Sequence, residues 1–518
     1  MTTSSSIAPQ GASTVRLDAV VIGAGLGGLA AAVRLRAMGY GVTLLEAGDQ
    51  PGGRARVFQR DGYRFDAGPT VVTAPYLFDE LFELVGRDRR DYYELVPVDP
   101  FYRVLFPDGE QFDYVGDEDR IVAQIERLSP GDVEGYRRMV AHAERIFEVG
   151  YQQLADKPFS RLSDMLRVVP DMLRLESYRS VYGLASKYFR DERLRQVFSF
   201  QPLLVGGNPF DTTSIYMLIH WLERKWGVHY ALGGTTSIVA GLMRLLDELS
   251  VEVHLNAPVE EIETRDGVVR GVRTEDGRRF PADIVVSNAD PSMVYTQMLP
   301  SVRRRVRTDR HVARMKQSMS LFVAYFATDR TWPELAHHSI VLGPRYKGLL
   351  ADIFDRKHLA DDFSLYLHAP TRTDPSVAPP GHESFYVLSP VPNLAGGQDW
   401  SALAEGYLDR ILDHLEGRLL PGLRDHLTTK FSVDPRYFRD DLRSHSGAAF
   451  GPQPILRQSA WFRYHNVSEE VGGLYFVGAG THPGAGMPGT LCSAKVLERV
   501  VDVPSVRVPV APPHQQAG

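Results

Sequence analysis

The chain is organised around DAVVIGAGLGGLAAAVRLRAMGYGVTLLE, residues 18–46, which joins an apolar strand, a glycine turn, a helix of small and unbranched residues and a second strand. Gly23 allows the tight turn, Gly25 lets the backbone approach a pyrophosphate, and Gly28 lets the helix pack close to the strand. Glu46 ends the second strand, about 20 residues after the glycines, where a carboxylate can accept hydrogen bonds from a ribose. A lone G-x-G-x-x-G is a weak signal, but here strand, helix, acid and spacing agree. The stretch therefore predicts a dinucleotide cradle.

A second glycine turn, residues 52–55 (GGRA), decides between the two common dinucleotides. An extra turn at Gly53 followed by an arginine suits a larger, permanently held cofactor, so we expect FAD rather than NAD. Arg54 can neutralise or orient the pyrophosphate and the flavin side. Residues 61–70 form a further turn that returns the chain towards the cofactor, and we assign Gly68 to the cofactor site; the alternative is an ordinary surface turn.

Composition narrows the function classes. The 518 residues carry a net charge of -6 without a basic block, which argues against nucleic acid as a partner. The single cysteine, Cys492, excludes an internal disulfide framework and fits a reducing compartment. No Cys/His set has metal-ligand spacing, so we expect no metal. Because no run of about 18 apolar residues occurs, any membrane contact must be peripheral.

Turn and strand signals divide the chain into two interleaved domains. Residues 233–255 read as a glycine turn, a helix and a strand that return to the cofactor sheet, so the FAD-binding domain is discontinuous. Residues 259–262, 268–274 and 284–287 are expected to form a small antiparallel extension. The predicted α/β architecture comprises an N-terminal disordered tail (1–17), a Rossmann-like FAD-binding domain (18–100, 231–291, 455–502), a mixed-sheet substrate-binding domain (101–150, 292–454), a helical region (151–230) and a C-terminal disordered tail (503–518).

The helical region is dense in leucines, aromatic residues and arginines from residue 159 onward. Such a basic amphipathic segment can lie in a membrane interface, or it can be a core helix with one solvated face. We expect a cytoplasmic protein that associates peripherally with membranes through residues 159–175 or the aromatic region after them.

The last informative stretch is VGAGTHPGAGMPG, residues 477–489, where a strand runs into a glycine-rich turn and then into a helix. Backbone N–H groups at such a helix start can face the flavin ribityl chain or ring. The cofactor contacts expected here are Gly478, Gly480, Gly486 and Met487, and Val259 in the returning segment completes the set.

These motifs resemble the bacterial carotenoid desaturases of the phytoene desaturase type, within the amine-oxidase-like flavoprotein superfamily. The likeness runs from about residue 18 to 501. The first glycine motif and GGRA alone indicate only the superfamily. The more specific motifs are YRFDAGPTVVT (63–73), LSPGDVEGYRR (128–138), FSFQPLLVGGNPF (198–210), VVSNADPS (285–292), QSAWFRYHN (458–466) and VGAGTHPGAGMPG (477–489).

The resemblance implies an FAD-dependent oxidoreductase that introduces successive double bonds into phytoene, a linear C40 carotenoid precursor, and gives neurosporene or lycopene. Each step sends a hydride to flavin N5 and loses a proton. A hydrocarbon offers no polar handle, so an apolar tunnel beside the flavin is implied. Because only one complete strand–glycine–helix–acid unit exists, we expect quinone or oxygen, not a nicotinamide, to reoxidise the flavin.

Asp164 and Arg167 match a D-x-L-R-like position of the family and are the predicted catalytic acid/base pair, with an exposed ion pair as the alternative. Departures from the family at Ala479, Leu491 and residues 227–230 leave substrate length and product stage open. The alternatives are a desaturase of hydroxylated or shorter carotenoids, a carotenoid oxidase or isomerase, or a non-catalytic isoprenoid-binding module of the same fold.

Overall fold

The computed structural model describes residues 17–504. The predicted tails 1–17 and 503–518 therefore lie almost wholly outside the described residues. The strands are β1 (Asp18–Ile22), β2 (Gly41–Leu45), β3 (Val57–Arg60), β4 (Tyr63–Asp66), β5 (Leu95–Pro97), β6 (Tyr102–Leu105), β7 (Gln111–Tyr114), β8 (His229–Ala231), β9 (Glu252–His254), β10 (Val259–Arg265), β11 (Val268–Thr274), β12 (Arg279–Pro281), β13 (Ile284–Ser287), β14 (Ser320–Thr328), β15 (His338–Val341), β16 (Leu365–His368), β17 (Glu383–Val391), β18 (Leu427–Val433) and β19 (Leu474–Phe476).

Some helices lie singly between strands, whereas those at residues 118–226 follow one another without an intervening strand. The helices are α1 (Leu26–Met38), α2 (Tyr76–Glu83), α3 (Glu118–Leu128), α4 (Val133–Phe147), α5 (Leu162–Arg174), α6 (Val181–Tyr188), α7 (Glu192–Val197), α8 (Leu218–Trp226), α9 (Thr235–Glu248), α10 (Pro291–Gln297), α11 (Asp309–Arg314), α12 (Tyr346–Ala351), α13 (Trp400–Arg418), α14 (Pro435–Asp440), α15 (Met487–Lys495) and α16 (Leu497–Val500).

A five-stranded parallel sheet carries the first glycine motif. Its order is β19-β13-β1-β2-β9, so strands from three distant parts of the chain lie side by side. β1 is central and almost wholly buried, as expected for an apolar run with helices on both faces of the sheet. The carboxyl ends of β1, β2 and β13 meet at one edge, where ligands bind in open α/β sheets.

The small antiparallel extension differs from its prediction in one strand. β10 and β11 pair antiparallel as expected, but the third strand is β12, and β13 instead lies in the parallel sheet. All four residues of β13 are buried. This continuous burial is typical of a central parallel strand, whereas a strand in an exposed extension alternates between buried and exposed residues.

A seven-stranded mixed sheet forms the second layer, in the order β18-β14-β17-β16-β15-β6-β7. Its pairs are antiparallel except for β6 with β15, which run parallel. β6 and β7 come from residues 101–150 and the other strands from residues 292–454, and the division into domains stays a prediction. Across residues 17–504, no helix is long and apolar enough to cross a membrane.

Candidate active site

The turn after β1 is built by glycines that leave no room for side chains. Gly23 has a φ of +91°, a conformation that favours glycine, and its N–H donates to the Leu45 carbonyl at 2.7 Å. A Cβ on Gly28 would lie 1.9 Å from the Gly23 carbonyl oxygen. Gly28 thus has the packing role expected of it and does not line the cavity described below. A Cβ on Gly25 would come within 2.7 Å of Asn288 Nδ2.

The Glu46 carboxylate stabilises this turn through hydrogen bonds from backbone N–H groups. Its two carboxylate oxygens accept the N–H groups of Ala24 at 2.7 Å and Gly48 at 2.9 Å. Glu46 also lines the cavity, so the same side chain that fixes the loop stands where a ribose contact is expected. Part of its hydrogen-bonding capacity is therefore used within the protein.

Arg54 lines the cavity beside the cradle and is suited to an anion. Its Nη2 donates to Ser444 Oγ at 2.7 Å, while its buried Nε has no partner among the described residues. Burial lowers the pKa of this guanidinium, and Asp290 opposes the shift. A desolvated cation with a free N–H next to a glycine turn fits the pyrophosphate or flavin of FAD.

One large cavity of about 520 Å³ runs from this cradle into the region between the two sheets. Most predicted cofactor residues line it, and these are Gly23, Gly25, Glu46, Gly53, Arg54, Gly68, Val259, Gly480, Gly486 and Met487. Gly478 does not line the cavity, and its N–H donates to Ser493 Oγ at 2.7 Å, so a cofactor role for Gly478 stays a prediction. Asn288, which the sequence analysis did not assign, lines the cavity between the glycine turns.

The far side of the cavity is apolar. We call it the apolar wall and define it by residues 200–205, the face of α8 and the cavity side of β15, β16 and β17. Its side chains include Phe200, Leu204, Ile219, Leu222, Ile340 and Leu388. The predicted apolar tunnel beside the cradle therefore has a counterpart in the structure.

Two polar groups interrupt the apolar wall. Glu223 on α8 is fully buried, and its Oε1 accepts the Tyr102 hydroxyl at 2.7 Å. Burial raises the pKa of Glu223 to about 8. The second group is a chain in which Thr70 Oγ1 lies 2.5 Å from the Tyr366 hydroxyl, and that hydroxyl lies 2.7 Å from His338 Nδ1.

Three buried histidines, His337, His338 and His368, come together behind this chain, with ligand nitrogens within 4.8 Å of one another. The sequence analysis found no metal-ligand spacing because the residues come from neighbouring strands, where sheet pairing, not local spacing, brings them together. His337 and His368 already face each other through Nε2 atoms 3.0 Å apart. Burial lowers the pKa of each histidine and so favours the neutral form of all three.

The predicted catalytic pair lies away from the cavity. Asp164 accepts the Arg161 N–H at 3.1 Å, which caps the first turn of α5, and its carboxylate lies 3.6 Å from Arg167 Nη1. The Arg167 side chain is 78% exposed, and neither residue lines the cavity. This geometry is that of the alternative, an exposed ion pair, and the catalytic role stays a prediction.

A glycine cradle beside a buried arginine whose Nε has no partner among the described residues, open to an apolar cavity, is the site of an FAD-dependent oxidoreductase. Residues 26–495 match the family described as flavin containing amine oxidoreductase, and the chain belongs to that family and, within it, to the bacterial-type phytoene desaturases.

Among its relatives, the lycopene-forming phytoene desaturase of Pseudescherichia vulneris is 50% identical over 92% of this chain and 97% of its own. The neurosporene-forming phytoene desaturase of Rhodobacter capsulatus is 47% identical over 95% of both chains. Among solved structures, an oxidoreductase from Methanosarcina mazei aligns with a TM-score of 0.65 at 17% identity, over 93% of this chain and 100% of that one. At that identity the likeness shows the fold alone.

Proposed function

We propose that this enzyme desaturates phytoene, forming neurosporene or lycopene. The observation that carries the proposal is the single cavity that joins the FAD cradle to the apolar wall. Relatives 47–50% identical over almost their whole length are phytoene desaturases that form these two products. A linear hydrocarbon matches the wall because apolar burial, at about 25 cal/mol per Å², is its main source of binding free energy.

The residues around the cavity have two roles in this reaction, cofactor binding and substrate binding. FAD, when bound, supplies the hydride acceptor. Gly25, Gly53 and Arg54, which line the cavity, would hold its phosphates, and Glu46 would contact its ribose. The apolar wall aligns the polyene and excludes water, so that the reacting carbons stay close to the cofactor and side reactions with solvent are prevented.

Product analysis tests this proposal and separates it from its alternatives. Purified FAD-loaded protein is incubated with phytoene, with a hydroxylated carotenoid, with a shorter C30 precursor and with a cis-carotenoid. We expect stepwise desaturation of phytoene. The proposal would be contradicted by preferred turnover of a hydroxylated or shorter precursor. Oxidation at a terminal methyl, or isomerisation without new double bonds, would contradict it as well. A folded, colourless protein that binds isoprenoids would favour a binding module.

The electron acceptor is proposed to be a quinone or oxygen. Within residues 17–504 we identify one strand–glycine–helix–acid unit, which ends in Glu46. Because we assign this unit to FAD, no second unit is left for a nicotinamide dinucleotide. Substrate-reduced enzyme is mixed separately with a quinone, with air-saturated buffer and with NAD(P)⁺. Reoxidation by NAD(P)⁺ alone, at the rate of turnover, would contradict the proposal.

We also propose that the enzyme is cytoplasmic and touches a membrane through α5. Leu162, Leu166 and Leu173 form an apolar patch on one stripe of this helix and are 53%, 63% and 61% exposed, and the exposed Tyr178 and Phe462 line one groove with Leu173. Burying such a patch in an interface is favourable. Phe159, three residues before α5, lines the cavity, so the patch lies next to the cavity wall and suits a lipid-dissolved substrate.

Liposome flotation of the double variant Leu166→Asp/Leu173→Asp tests this surface. We expect loss of flotation and slower conversion of liposome-embedded phytoene, with FAD content unchanged. Leu403→Asp on α13 is the matched control, because Leu403 is 39% exposed but lies outside the patch. Unchanged flotation in the double variant would assign membrane contact to another surface.

A further inference from the structure

Glu223 is an unusual side chain for a hydrocarbon cavity. It lies on α8, and Leu218, Ile219 and Leu222 of the same helix line the cavity with it. The residue is 0% exposed, and its Oε2 has no hydrogen-bond partner among the described residues. Leaving a buried acceptor unpaired is costly, and a well-packed apolar residue at this place would avoid that cost.

No neighbouring cation compensates this carboxylate within the described part of the chain. The next residue, Arg224, turns away and donates to the Tyr136 hydroxyl and to Glu118 Oε2. On the same helix, His220 is occupied by the Tyr114 hydroxyl at 2.8 Å and by the Phe198 carbonyl at 3.1 Å. Among residues 17–504, the hydrogen-bond donor to this carboxylate is the Tyr102 hydroxyl of β6.

The other carboxylates that line the cavity are committed elsewhere. Glu46 accepts two backbone N–H groups of the cradle, and Asp290 accepts those of Ser292 and His445. Asp441 is 54% exposed and lies 3.9 Å from Arg56. Glu223 therefore stands apart among these four carboxylates as the buried one with a free oxygen.

We propose that Glu223 accepts the proton that the substrate loses in each desaturation step. This inference rests on the proposed function. One C–H bond of the polyene breaks and its electron pair leaves as hydride to bound FAD, which is reduced by two electrons. The neighbouring C–H bond breaks, its proton moves to Glu223 Oε2, and its electron pair forms the new C=C bond. The carboxylate thereby becomes a neutral acid, which suits the apolar wall better than the charge did.

The ionisation of Glu223 gives this role a pH signature. Burial raises its pKa to about 8, while the hydrogen bond from Tyr102 lowers it. A base of this kind acts only when ionised, so the rate should rise with pH through about 8. Tyr102 and Tyr114 face the carboxylate from β6 and β7, and burial holds the pKa of both hydroxyls well above their ordinary value, so neither loses its proton in this range.

The test compares single-turnover flavin reduction by phytoene, between pH 6 and 10, in FAD-loaded wild type, Glu223→Gln and Tyr102→Phe. Glu223→Gln should slow flavin reduction by about 10²-fold or more and remove the rise of its rate with pH. Tyr102→Phe should move this rise to higher pH, because the hydrogen bond that stabilises the carboxylate is lost. Glu383→Gln is the control, since Glu383 is equally buried but does not line the cavity.

A second readout does not depend on turnover. Without substrate, the infrared band of a protonated carboxyl should titrate near pH 8 in the FAD-loaded wild type and be missing in Glu223→Gln. A Glu223→Gln protein that binds FAD and phytoene and keeps the wild-type rate and pH profile would overturn the inference alone. Absence of flavin reduction by phytoene in the wild type would overturn the proposed function, and the inference with it.

Discussion

The two ends of the cavity are built by opposite means. At the cradle, side chains are missing, and added Cβ atoms at Gly28 or Gly68 would lie 1.9 Å and 2.4 Å from backbone oxygens. At the apolar wall, the cavity surface is formed by side chains, among them those of Ile219 and Leu222. The cradle thus recognises an anion through N–H groups, whereas the wall recognises a hydrocarbon through contact area. Substitutions at one end should therefore leave the function of the other end intact.

The largest effect is expected at the cradle. Gly25→Val should place a side chain against Asn288 and in the space assigned to the pyrophosphate, so the folded protein should contain almost no flavin. Flavin absorbance per protein after gel filtration measures this. Gly406→Ala, at a helix position with no atom within 4 Å of the added Cβ, is the control and should keep full occupancy. Full flavin content in Gly25→Val would remove the cradle assignment.

The next effect concerns the stability of the wall. The pKa of Glu223 is raised to about 8 in the folded protein against an ordinary 4.5. The contribution of this group to the unfolding free energy is therefore fully present below about pH 4.5 and is lost as the pH rises through 8. Glu223→Gln does not titrate. Its advantage in unfolding free energy should grow across this window to several kcal/mol, since each pKa unit corresponds to about 1.4 kcal/mol. Urea unfolding at pH 5 and pH 9 measures it; an equal difference at both values would contradict the buried-acid description.

A smaller effect is expected from thinning the wall. Ile219→Ala removes apolar contact area from the cavity side of α8 and should weaken phytoene affinity about tenfold, or about 1.4 kcal/mol, with flavin content unchanged. Fluorescence titration of the FAD-loaded protein with phytoene gives the affinity. A loss of flavin together with the loss of phytoene affinity would show that the two ends are not independent.

The smallest effect is expected from Asp164→Asn. The carboxylate caps α5 and pairs with an exposed arginine, and such contacts contribute about 1 kcal/mol or less. The thermal midpoint should fall slightly, with turnover per bound flavin near the wild-type value. A turnover loss as large as that of Glu223→Gln would restore the catalytic role that the sequence predicted for Asp164 and Arg167.

The contrast between the two ends also explains what the sequence could predict. The cradle lies within residues 18–56, where the spacing of Gly23, Gly25 and Gly28 reports directly on the backbone. The pair of Glu223 and Tyr102 joins positions 121 residues apart, and only the packing of α8 against β6 makes it visible.

The remaining differences have physical causes of the same kind. The histidine cluster arises from the pairing of β15 with β16, which no local spacing records. The sequence of β13 did carry a signal for its place in the parallel sheet, because the apolar run at residues 284–286 is typical of a strand buried on both faces. The hydrogen bond from the Gly478 N–H to Ser493 joins a turn to a helix residue 15 positions later, and the sequence alone does not show it.

The central claim, that one cavity brings a hydrocarbon to bound FAD, is tested most directly by anaerobic titration of the FAD-loaded enzyme with phytoene. The account predicts that flavin absorbance bleaches completely and that one new carbon–carbon double bond forms for each flavin reduced. Binding of phytoene without bleaching, or product formed without stoichiometric flavin reduction, would contradict it.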